Sequence, residues 1–128
     1  MKRILFYMAF IFAVCVGIVG CYKDVNIAAT PVNPDSQPPQ YVSYSAELAP
    51  LFNGNCAKPG CHLAGGHHPY LNTEVSYNEL INGGFVNTLV PKESILYIQI
   101  NSNMMQFIPN ASDRQKVYDW IRNGAPNN

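Results

Sequence analysis

Cys56-Ala57-Lys58-Pro59-Gly60-Cys61-His62 is the stretch on which the reading of this chain turns. Two cysteines with a histidine directly after the second form the pattern of covalent haem attachment. Each thiol can add across a porphyrin vinyl group, and the next side chain offers an imidazole to the iron. The spacer between the cysteines is four residues, where two is usual. Two other chemistries suit the same residues. Cys56 and Cys61 can close a disulfide around a tight loop, with His62 left on the surface. Alternatively, Cys56 and Cys61 with two of His62, His67 and His68 can supply the four donors of a tetrahedral zinc site.

Immediately upstream, Leu48, Leu51 and Phe52 fall at i, i+3 and i+4, one face of a short helix. Ser43 or Ser45 can cap it. Pro50 requires the helix to start late or to bend there, because proline has no N–H to donate. Asn53-Gly54-Asn55 ends the helix and hands the chain to Cys56. Downstream, residues 63–69 read as a turn. Ser76 and Glu79 have capping-box spacing before Leu80 and Ile81, and Gly83-Gly84 stops that second helix. Residues 95–100 are read as a helix, since no other segment offers a strand to pair with them. The last helix is capped by Asn110, carries Val117, Trp120 and Ile121 on one face, and stops at Gly124 with Pro126 beyond. The expectation is all-α. These short faces alone make a thin core for a domain of this length, and a buried cofactor would add apolar volume.

The ends of the chain set its context. Lys2 and Arg3 precede an almost unbroken apolar run over residues 4–19, the layout of a secretory signal. Its ending, Ile18-Val19-Gly20-Cys21, resembles a bacterial lipobox, which implies cleavage before Cys21 and lipidation of that cysteine. Residues 1–20 are then a signal peptide and Cys15 leaves with it, so Cys56 and Cys61 are the cysteines left for the domain. Residues 21–40, rich in proline and without apolar period, read as a tether. The domain proper is placed at 41–128. The whole chain carries eight basic and eight acidic residues. Loss of Lys2 and Arg3 leaves six against eight, a net charge of −2, without the basic face that a nucleic-acid partner needs.

The haem reading calls for a second axial ligand. His67 and His68 lie too near His62 to reach the opposite porphyrin face, since five or six residues span at most about 20 Å. Methionine is the other common distal ligand. Outside the signal the methionines are Met104 and Met105, adjacent in a polar stretch before the last helix.

With those features in place, residues 41–128 resemble the small class I cytochrome c-like haem-binding domains of bacterial lipoproteins. The resemblance rests, in order, on Tyr44-Ser45, Pro50-Leu51-Phe52, Asn55-Cys56 and the attachment motif. It continues through Val90-Pro91, Ile95-Leu96-Tyr97, the methionine loop, Tyr118-Asp119-Trp120-Ile121 and Gly124-Ala125-Pro126. Relatives usually carry proline and glycine after the methionine, where this chain has Gln106 and Phe107. The resemblance implies one haem c on Cys56 and Cys61, with His62 as proximal iron ligand. It implies a methionine as distal ligand, Met105 being slightly favoured by its spacing to Trp120 and Met104 being the alternative. It implies an electron carrier rather than an enzyme, because two filled axial positions leave no open site for substrate. Redox partner proteins in the cell envelope, a lipid anchor in the membrane (outer membrane, periplasmic or surface-facing) and no nucleic acid follow from the same reading. Tyr97, Phe85 and Phe107 are candidate haem-wall aromatics. The competing expectation is a non-haem surface lipoprotein module, closed by a Cys56–Cys61 disulfide or holding zinc.

Overall fold

The computed structural model describes residues 33–128. The signal at 1–20, Cys21 and residues 21–32 of the tether lie outside the described residues. Within them the fold is all-α, with no strand. No helix among the described residues is long and apolar enough to cross a membrane.

The chain enters its first helix through a π-helical turn, Tyr44–Leu48, closed by the amide of Ala49 donating to the Tyr44 carbonyl. Ser43 caps the turn: its Oγ accepts from the Ala46 amide at 3.3 Å, and the Glu47 carboxylate accepts from the Ser43 amide at 3.2 Å. The wider turn resolves the Pro50 conflict. It places Pro50 in the first turn of helix α1 (Ala49–Asn55), where a missing N–H costs no helical bond. Helix α2 is Ser76–Asn82, α3 is Ile95–Ile100 and α4 is Ala111–Arg122. Short 3₁₀ turns at Pro91–Glu93 and Met105–Phe107 precede α3 and α4. Asn110 caps α4 as its sequence position foretold, its Oδ1 accepting from the Ser112 amide at 3.0 Å.

The core gathers around Trp120 and Tyr44. Trp120, Phe52, Leu48, Leu80, Ile121 and Val117 are essentially fully buried, so the apolar faces of α1 and α4 close on each other through Tyr44. The Tyr44 ring stands 5.1 Å from Trp120 and 5.1 Å edge-on from Tyr77. Its hydroxyl donates to Ser76 Oγ at 2.7 Å. Burial pushes the Tyr44 phenol up to about 12, so it stays neutral and serves the core as a donor. That bond also corrects the capping-box reading of α2. Ser76 is the first helical residue, not the cap, and its hydroxyl is spent inside the core.

The start of the domain also differs from expectation. The sequence makes residues 33–40 part of a free tether, but the compact unit begins at Asn33. The Pro34 carbonyl accepts from Gln115, the Gln37 carbonyl from Arg122 and the Gln40 carbonyl from Asn123. Asp35 accepts from the Tyr118 hydroxyl at 2.7 Å and pairs with Lys92. Proline content predicts an extended backbone, but residues 33–36 close a turn, the Ser36 amide donating to the Asn33 carbonyl at 2.9 Å. Nor does it predict that the carbonyls of this segment are available to the polar edge of α4.

Candidate functional site

The attachment motif leaves α1 as a wound loop. The Cys56 carbonyl accepts from the amides of both Lys58 (2.8 Å) and His62 (3.2 Å), and the Lys58 carbonyl accepts from Cys61 (2.9 Å). Gly60 makes the turn at a φ of 76°, a left-handed conformation that side chains with a Cβ resist. The chain then folds back so closely that a Cβ at Gly66 would lie 2.2 Å from the Cys61 carbonyl oxygen. The four-residue spacer is thus accommodated by a hydrogen-bonded turn that keeps both cysteines beside His62.

Both cysteines are free thiols, Cys56 half-buried and Cys61 exposed. Burial, with Cys61 next to it, pushes the Cys56 thiol up to about 11, against a smaller opposing pull from Lys58. Among the described residues no three His, Cys, Asp or Glu side chains converge closely enough to hold a metal ion by themselves. The two cysteines and the histidines are therefore not gathered into the tetrahedral donor set that the zinc reading needs.

His62 is oriented by its own loop. Its Nδ1 lies 2.9 Å from the Pro69 carbonyl and 3.2 Å from that of His67. Carbonyl oxygens only accept, so Nδ1 carries the proton and the lone pair belongs to Nε2. This is the arrangement of a metal-ligating histidine, whose second nitrogen is fixed by an outer partner.

Cys56, Cys61 and His62 all line one cavity of about 490 Å³. Its walls are chiefly apolar: Phe52 of α1, Leu80 of α2, Leu96 and Ile100 of α3, and Leu71 and Phe85 from the loops flanking α2. Met104 and Phe107 reach it from the segment before α4. The volume lies within the roughly 300–1,000 Å³ typical of small-molecule and cofactor sites. The residues chosen from the sequence divide here. Met104 is on the cavity wall, whereas Met105, preferred on spacing, is not, and its side chain stands exposed. Phe85 and Phe107, candidate haem-wall aromatics, both line the cavity. Tyr97 does not, because its ring stacks on Tyr118 at 4.4 Å on the α4 side of α3. His67 and His68, set aside as ligands from the sequence, also border the cavity.

The sequence reading missed Pro69, Tyr70 and Glu79. Glu79 Oε2 accepts from His68 Nδ1 at 2.7 Å and from the Tyr70 amide at 3.2 Å. Its place as the third residue after Ser76 made it look like half of a helix cap. A carboxylate side chain gives no sign in sequence that its partners lie nine and eleven residues upstream.

Fold and site together define a small all-α domain whose apolar cavity is walled on one side by two thiols and an oriented imidazole. No family model, no curated protein and no solved structure matches the chain.

Proposed function

We propose that this domain is a class I-like monohaem c-type cytochrome, tethered through Cys21 to a membrane of the bacterial cell envelope, that passes single electrons between partner proteins. The observation that carries this reading is the convergence of Cys56, Cys61 and an Nδ1-protonated His62 on one apolar cavity. Cys56 and Cys61 would hold a haem as thioethers, and His62 would offer Nε2 to its iron. Phe52, Leu71, Leu80, Leu96 and Ile100 would keep water from it. Met104, rather than Met105, would be the methionine available to the iron, because it lines the cavity. A haem held there supplies reversible one-electron iron chemistry, and neutral thioether ligation favours the ferrous form. Two side-chain ligands leave no site for a substrate, so the protein is a carrier and not a catalyst.

The test is the protein's colour. The full chain, exported in a host that matures c-type cytochromes, should be red and keep its haem through acid–acetone extraction; a colourless chain overturns the proposal. Cys56→Ala or Cys61→Ala should leave at most one thioether. Met104→Ala should abolish the weak long-wavelength charge-transfer band of methionine-ligated ferric haem and lower the potential. Met105→Ala should retain both. The reverse pattern would return the ligand to Met105.

A further inference from the structure

The loop between His62 and α2 contains a second polar relay, distinct from the ligands themselves. The Pro69 carbonyl, which accepts the His62 Nδ1 proton, belongs to a buried residue. Both neighbours of Pro69 are tied to a single atom: His68 through its ring nitrogen and Tyr70 through its amide, each to Glu79 Oε2. The His68 ring also stacks on Tyr70, with centroids 4.0 Å apart. Glu79 sits on α2, next to Leu80, which is fully buried in the core and lines the cavity. The carboxylate therefore has a rigid base; the residues it holds lie between two backbone ties of the loop, His67 to the Cys61 carbonyl and Leu71 to the His62 carbonyl, each at 2.7 Å.

We infer that Glu79 is a positioning residue for His62: by clamping His68 and Tyr70 to α2 it fixes the Pro69 carbonyl, and that carbonyl fixes the tautomer and orientation of the imidazole. The inference rests on the proposed haem function for its redox consequence, but not for the clamp itself. His68 and then the Tyr70 amide hold the Glu79 carboxyl below the usual carboxylate range, so it is ionised at neutral pH and accepts both bonds. Outer hydrogen bonds of this kind raise the basicity of a ligating histidine. In a haem-loaded domain, loosening the clamp would weaken donation from His62 and so raise the potential.

Glu79→Ala and Glu79→Gln in the full chain separate this from a general role in stability. Both bonds fall on one oxygen, and the Gln amide offers one acceptor oxygen in the same place. Two quantities are read: the reduction potential, and the rate at which the His62 Nδ1 proton exchanges with solvent by NMR. Glu79→Ala should raise the potential and speed that exchange at least tenfold, and Glu79→Gln should restore both towards wild type. Should the Ala variant fail to accumulate, His68→Ala decides. It removes one arm and should give a smaller change in the same direction. Unchanged exchange in Glu79→Ala, or in its stead in His68→Ala, overturns the clamp. So does a Gln variant that behaves like Ala. A chain that purifies without covalent haem overturns the proposed function alone, since proton exchange at His62 still reports on Glu79.

Discussion

The two sides of this small domain solve the burial problem differently. On the α4 side, the apolar face of the helix closes on Leu48, Phe52 and Tyr44, and its polar edge is taken up by residues 33–40. Even Trp120 finds an acceptor for its indole N–H, the Pro126 carbonyl at 2.9 Å. On the side of the attachment motif, large apolar side chains are not covered. Ile95, Met104 and Phe107 are 47%, 36% and 43% exposed, and all three border the cavity. Chain packing completes one side. The other keeps an apolar cavity that the described residues do not fill. Stability and function are thus largely segregated, and a substitution should reveal which side it belongs to by whether Tm or the cofactor signature moves.

Trp120→Ala should have the largest effect. It removes the biggest buried side chain, and truncations of this kind cost about 3–5 kcal/mol, enough to unfold a domain of this size by denaturant titration and to abolish haem incorporation with it. If the variant stays folded while losing haem, the segregation is wrong. Gly66→Ala comes next. Its Cβ meets the Cys61 carbonyl and the backbone must shift; overpacking of this order costs about 1–3 kcal/mol. The signature should be a lowered yield of doubly attached haem, seen by mass and by the pyridine haemochrome spectrum, with a smaller fall in Tm than for Trp120→Ala.

Tyr44→Phe should sharpen the comparison further. It keeps the ring stack but leaves Ser76 Oγ buried without its donor, a loss of about 1–1.5 kcal/mol, with the haem spectrum unmoved. The smallest effect belongs to Asp35→Ala, which should raise amide hydrogen exchange over residues 33–40 while leaving the absorption spectrum and Tm nearly unchanged. Lys92, then Tyr118, lowers the Asp35 carboxyl below its ordinary 3.8. A depressed carboxyl contributes stability above its unfolded value and loses it as pH falls through the folded value. Protection of residues 33–40 should therefore be full at neutral pH and fade only below about pH 4.

Much of the α4 side was legible because it obeys local rules. Asn110, Gly124 and the spacing of Val117, Trp120 and Ile121 fix that helix within its own segment. That Cys56, Cys61 and His62 lie together was legible for a different reason: they stand within seven residues of one another. The π-helical turn before Pro50 was half legible. The sequence shows a conflict at proline, and the structure shows its resolution one turn upstream. Ser76 and Glu79 were misread because both have partners across the fold, Tyr44 in one case and His68 with Tyr70 in the other. Local pattern offered a plausible cap in their place.

By itself the sequence determined the helices with strong caps and apolar faces, the cluster of Cys56, Cys61 and His62, and the two methionines available to the domain. Only the tertiary structure decided which methionine reaches the cavity, that residues 33–40 pack on α4, and that Glu79 accepts from His68 and Tyr70, on either side of the carbonyl that His62 meets. The physical reason is one of range. Caps, turns and helical faces are written within a few residues. A cavity wall or a buried hydrogen bond depends on where distant segments are brought together by packing around Trp120 and Tyr44, and no local pattern carries that information.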